Sequence, residues 1–166
     1  MSRRALSSRA GGFSFIELLA TLAIIATLAA MALPLAQTTL KRHKEHELRR
    51  ALRDIRQAID AYQVATTDGR IVQADASGSQ HGYPPTLAAL AAGVPNAKAQ
   101  GGAMLYFLRR LPRDPFYPNA TTPAAQTWGT RRFDSPPDQP LAGDDVFDVY
   151  SLSTQTGLNS VAYREW

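Results

Sequence analysis

Two kinds of hydrophobic pattern follow one another along this chain. From Phe13 to Leu33 the residues are mostly Leu, Ile, Ala and Met, and Glu17 is the one charge. As a helix rising about 1.5 Å per residue, these 21 residues reach about 31 Å, enough to cross a bilayer core. Beyond Leu40 apolar residues recur at spacings of three and four, at Leu48, Ala51, Leu52, Ile55, Ala58, Ile59 and Tyr62. This is a stripe about 100° wide on an amphipathic helix, and the opposite face carries Arg49, Arg50, Arg53 and Arg56. No Gly falls between Phe13 and Asp68, and Pro34 is the single Pro. The pattern therefore predicts one helix to about Thr66, kinked at Pro34 where a backbone hydrogen bond is lost.

Asp68-Gly69 ends that helix, and the polar, Gly-rich stretch from Ile71 to Pro85 reads as a loop. Pro85 to Leu90 fits one short helix closed by Gly93. Leu105 to Leu111 is an apolar patch ending at Pro112. Strands are expected late, at Thr127–Phe133 and Val146–Ser151, with Ser135 to Pro140 an exposed turn between them. Tyr163 to Trp166 is either a third short strand or a packed tail. A long helix, a loop region and a small antiparallel sheet make an α+β domain.

The chain carries a net charge of +4. Arg3, Arg4 and Arg9 precede the apolar run, and removing residues 1–12 takes the basic count from 18 to 15 against 14 acids. The basicity then belongs largely to a leader and not to a binding surface. The cluster from Lys41 to Arg56 is interleaved with Glu45, Glu47 and Asp54, as on a solvated helix face, so nucleic acid is not the expected partner. There is no Cys to staple the fold or serve as nucleophile or ligand. His43 and His46 are three apart on a helix, but Lys41 and Lys44 beside them would repel a cation.

Three readings of the first 36 residues compete. One is a plain signal anchor. Another is a cleaved secretory signal, for which Ala30-Met31-Ala32 has the small-x-small form. The third takes Gly11-Gly12-Phe13-Ser14-Phe15-Ile16-Glu17-Leu18-Leu19 as a unit. Glu17 decides among them, because a carboxylate inside an apolar segment is costly and neither an anchor nor a signal has a use for it.

That unit resembles the cleavage motif of type IV prepilins and of the pseudopilins of type II secretion. The resemblance implies a cut by a prepilin peptidase between Gly12 and Phe13, methylation of the Phe13 amine, an assembly role for Glu17, and a helix kink at Pro34. It divides the chain into a leader (1–12), a transmembrane and assembly half of the helix (13–35), an amphipathic half (36–66) and a periplasmic globular domain (67–166). Charge does not decide the orientation, since Lys41, Arg42 and Lys44 flank the far end as heavily as the leader flanks the near one. Orientation comes from the leader motif alone.

The second half is similar to G-type pseudopilins at two places. Leu111-Pro112-Arg113-Asp114-Pro115 looks like their proline-aspartate-proline loop, and Asp145 to Ser151 like their penultimate strand. Phe116 stands where that family has tryptophan. The loop Leu152 to Asn159 has no acid, where the G-type subunits bind calcium through carboxylates, and Asp144, Asp145 and Asp148 would diverge along a strand. Ca²⁺ is therefore a poor fit, and no cofactor is expected. Trp128, Phe133, Phe147, Tyr150 and Trp166 are expected to pack on the helix stripe and sheet edge. Asp114 is expected to cap a turn through its own backbone.

No catalytic constellation is visible, so a non-enzymatic protein is expected. The resemblance implies a single-pass inner-membrane subunit of a type II secretion pseudopilus, assembling with other pseudopilins on an inner-membrane platform. The rivals are a minor pilin of a type IV pilus or DNA-uptake filament, and a membrane-tethered DNA-binding module.

Overall fold

A run of good helix formers broken by neither Gly nor an internal cap gives one helix, α1, over Phe15–Thr67. The structure, a computed structural model, describes residues 12–72, 81–99 and 101–166, the side chains of 31–34 excepted. The leader up to residue 11, the proposed kink at Pro34 and most of the Ile71–Pro85 loop lie outside the described residues. The chain's contacts separate into two units, one ending at Leu40 and the other spanning Lys41–Trp166.

Helix α1 stops where Gly69 enters the left-handed region at φ 67°. The Gly69 amide donates to Thr66 O at 2.8 Å and the Arg70 amide to Ala65 O at 2.9 Å. These two bonds satisfy carbonyls that the helix end would leave bare, and a Cβ at Gly69 would oppose the required φ.

Residues of α1 from Leu48 to Ala65 supply one wall of the core. Ile71, Leu87, Leu90, Trp128, Val146, Val149 and Tyr163 supply the other. The stripe expected from sequence is buried at every one of its positions.

The remaining elements are short. Helix α2 covers only Ala89–Ala92. Pro84 and Pro85 lack amides, and residues 86–90 turn by i→i+3 bonds such as Leu90 N–H to Leu87 O. The short helix expected from Pro85 thus begins late. Strands β1 (Val94–Pro95) and β2 (Met104–Leu105) form one antiparallel pair. Strands β3 (Trp128–Arg131) and β4 (Asp148–Ser151) form another, with Trp128 opposite Ser151 and Gly129 opposite Tyr150. The expected sheet is therefore two separate two-stranded pairs, and its strands are shorter than the apolar runs. Tyr163–Glu165 is a 3-10 turn in a packed tail, not a third strand. Within the expected exposed turn, Ser135 is buried and holds the loop by accepting from the Leu141 amide and donating to Gln139 O. The architecture is α+β, a long N-terminal helix with small antiparallel pairs, in agreement with the pilin-like arrangement.

Candidate functional site

The first part of α1 has no cover. Phe13 is 80 % exposed, Phe15 79 % and Ile16 73 %, and the apolar surface continues around the helix through Leu28. It is the one described helix long and apolar enough to cross a membrane. Thr21 and Thr27 donate their hydroxyls to Leu18 O and Ile24 O, so neither carries a free donor into an apolar setting. Glu17 sits in the first turn of α1, where the helix dipole favours a carboxylate. Among the described residues it has no ion-pair partner. Gly12 and Phe13 lie just before the helix, outside any regular element, and nothing approaches the position a Gly12 side chain would take.

The domain end of α1 carries a second constellation that the sequence reading missed. Glu45, read there as one acid of a solvated face, is buried. Its Oε1 accepts the Leu158 amide at 2.7 Å and the Tyr163 hydroxyl at 3.0 Å. One turn earlier, Lys41 Nζ donates to Thr156 O at 2.7 Å. Together they pin the C-terminal hairpin to the helix. A signal was present: Glu45 lies three residues before Leu48 and seven before Leu52, in line with the buried stripe. Burial and the Glu45 contact push the Tyr163 hydroxyl pKa up.

The arginine face is also corrected. Arg49 lies over the Trp166 ring, 4.2 Å from its centroid. Arg56 donates Nε–H to Asp148 Oδ1 at 2.8 Å and Nη2–H to the Val149 and Trp166 carbonyls. Arg131 holds the other oxygen, Oδ2, at 3.3 Å. Arg49, Arg50 and Arg53 all remain exposed, Arg50 within 3.9 Å of Asp54. Two of the four arginines thus engage the C-terminal region, Arg49 at Trp166 and Arg56 at β4 and the Trp166 carbonyl. Their angular position explains this, since Arg49 and Arg56 flank the stripe.

Asp114 caps its turn as expected, accepting the Phe116 amide at 2.7 Å. It also takes the Ser151 hydroxyl of β4 at 2.5 Å, and its burial raises its pKa although both bonds favour the charged form. Arg113 beside it donates to the carbonyls of Thr122 and Asn119. Trp128 donates its indole N–H to Pro112 O at 2.9 Å. Of the other aromatics, Tyr150 lies across Gly129, where any Cβ would collide with its ring. Phe133 does not reach the stripe. It is 43 % exposed and stacks on His81 at 4.2 Å, in a cluster with Tyr83 and Phe147. His81 also stands 3.7 Å from Asp145 and 3.8 Å from Asp134.

Calcium fails on the donor set. Both Asp148 oxygens are held by arginines, Asp145 Oδ1 accepts the Phe133 amide at 3.0 Å, and Asp144 is exposed on the loop before β4. In the loop, Ser153 Oγ and Asn159 Oδ1 accept the loop's own amides. A hard dication wants roughly six to eight oxygens, several of them carboxylate. The described residues hold no group of three His, Cys or acids placed to share a metal. His43 and His46 are both exposed.

A cleft of about 660 Å³ does gather ionisable groups from several segments, Arg56, Arg131, Asp148, Arg164 and Glu165 among them. Arg56 and Arg131 share the one carboxylate of Asp148 there.

No curated protein and no solved structure matches the chain. Residues 7–33 match the prokaryotic N-terminal methylation motif, a segment that contains Gly12, Phe13, Glu17 and the apolar part of α1. That match, on a single exposed apolar helix leading into an α+β domain, indicates the type IV pilin-like class, pilin or pseudopilin.

Proposed function

We propose that this protein is a pseudopilin, a structural subunit of a type II secretion pseudopilus that promotes protein export. The observation that carries the reading is one carboxylate, Glu17, four residues after Phe13 in the otherwise uncharged, exposed first stretch of α1. A prepilin peptidase removes residues 1–12 and the Phe13 amine is methylated. The subunit waits in the inner membrane as a single-pass protein with its domain in the periplasm. Its work is mechanical and not enzymatic: helices leave the bilayer and stack on an assembly platform into a filament with other pseudopilins. The Pro112-Arg113-Asp114-Pro115 loop and the β4 sequence favour the G-type subunits over a minor pilin of a type IV pilus or DNA-uptake filament. DNA binding is disfavoured because Arg49 and Arg56 are committed to Trp166 and Asp148.

Intact mass of the membrane-extracted protein tests the processing. The expected species lacks residues 1–12 and carries one added methyl group. A mature N-terminus at Leu33 would establish a secretory signal and end the pilin-like reading.

A further inference from the structure

Two surfaces of the Lys41–Trp166 unit carry opposite charge. The first is a cleft of about 930 Å³, where Arg50, Arg109, Arg110 and Arg113 stand against two acids, Glu47 and Asp54. Arg113 spends its hydrogen bonds on the neutral carbonyls of Thr122 and Asn119, so its charge stays uncompensated. Arg109 and Arg110 are exposed and have no ion-pair partner among the described residues. Leu108, Leu111 and Ala124 give the same cleft an apolar part.

The second surface is the loop between β3 and β4. Residues 133–147 hold four acids and no base. Pro136, Pro137 and Pro140 fix their own φ. Buried Ser135 bonds Gln139 O and the Leu141 amide from inside, and the Arg132 amide closes the base on Leu141 O at 2.9 Å. The loop is therefore built before anything docks on it, and docking costs it little further entropy. Asp138 and Asp144 are exposed, without an ion-pair partner among the described residues, and Leu141 between them is 54 % exposed. An apolar residue flanked by carboxylates complements a partly apolar cleft rich in guanidinium.

Loop and cleft cannot meet within one copy. At about 100° per residue, Glu47, Arg50 and Asp54 flank the buried stripe of α1 on one side and Arg56 on the other. Pro137, Asp138 and Pro140 line the cleft to which Arg56 belongs, so the acidic loop lies on that second side.

We propose that the acidic loop of one copy docks in the arginine cleft of the next, with Leu141 against Leu108 and Leu111, and Asp138 and Asp144 against Arg109 and Arg110. Because the two patches differ and lie on opposite sides, the contact is head-to-tail and repeats from copy to copy. A nucleic-acid strand suits the cleft less well, since Glu47 and Asp54 would face its phosphates. The inference deepens the filament reading and rests on it, adding a contact between domains to the one between helices.

The chain has no cysteine, so Ala124→Cys in the cleft and Ala142→Cys in the loop report the contact without removing a charge. The full-length double variant is produced with the wild-type machinery and treated in its membranes with a short thiol cross-linker, and filaments are scored in parallel. The expected product is a ladder of dimers, trimers and longer chains, which neither single variant gives. Adding Arg109→Glu with Arg110→Glu should cut the ladder about tenfold, as should Asp138→Lys with Asp144→Lys, and combining both sets should restore it. Filaments without a ladder, or a ladder indifferent to these reversals, overturn the docking alone. Dimers and nothing longer mean a closed two-fold contact, and adducts of position 124 with another protein mean a different occupant; both overturn it. Loss of filaments and ladder together overturns the filament reading and the docking with it.

Discussion

Glu45 illustrates how one side chain can bind two distant parts of a sequence. It is buried, yet both of its hydrogen bonds reach the C-terminal hairpin, to Leu158 and Tyr163. Charge-assisted bonds in a buried setting are worth more than neutral ones, and a stranded donor costs its desolvation. Glu45→Ala should therefore destabilise the domain by about 2–3 kcal/mol in urea unfolding of the detergent-solubilised chain. Glu45→Gln, which keeps an acceptor, should cost less. The same contact sets an alkaline limit. Because the Tyr163 pKa is raised in the folded state, the unfolded chain loses this proton first as pH rises past about 10. The folded state then binds more protons than the unfolded one, so stability is intact below pH 10 and declines above it. Tyr163→Phe should flatten that decline while leaving Glu45 its bond to Leu158, and an unchanged alkaline slope would show that another group sets it.

At the scale of elements, α1 was the legible part. Its stripe, its polar flank and its stop at Asp68-Gly69 are local periodicity and local backbone chemistry, and the structure buries Leu48, Leu52, Ile55 and Ile59 accordingly. The strands were less legible because their ends are decided by partners far off in sequence. Thr130 and Arg131 pair with Val149 and Asp148, while Phe133 leaves the ladder to stack on His81. Strands β1 and β2 hold two residues each, too few for any alternation to register. In the candidate site Gly12, Phe13 and Glu17 are singled out through resemblance to the prepilin motif, and they fall within residues 7–33 that match the N-terminal methylation motif. The roles of Glu45, Arg49 and Arg56 could not be read in advance, because they depend on where the C-terminal tail returns. The stripe makes a direct prediction. Ile55 is fully buried in the core, and Ile55→Ala should cost about 2–5 kcal/mol. The exposed Arg53→Ala should stay within about 0.5 kcal/mol. Equal costs at the two positions would contradict the packing described.

The whole molecule joins two parts with opposite needs. The domain covers its own stripe, but the first half of α1 is apolar around its circumference and must find lipid or other helices. Either environment penalises Glu17, by up to the roughly 3 kcal/mol that translocon scales assign to a charge at a helix centre. A charge kept at that cost needs a function realised elsewhere. In the proposed filament it is the Phe13 amine of a neighbouring helix, protonated at neutral pH once residues 1–12 are gone. Each charge removes the other's desolvation penalty, and the pair selects one stagger between adjacent helices. Glu17→Ala should then leave the isolated subunit at least as firmly anchored and should still be cleaved after Gly12, since the peptidase acts before a neighbour docks. Assembly should fail, because the neighbour's ammonium is buried without a counter-charge. Glu17→Gln should fail nearly as badly, since an amide can accept a hydrogen bond but cannot balance that charge. Expressing each variant with the wild-type machinery, and scoring precursor processing, membrane retention, cross-linked oligomers and filaments separately, distinguishes these effects. Normal filaments from Glu17→Ala would end the pairing argument, and a block at processing would move the role of Glu17 from assembly to peptidase recognition.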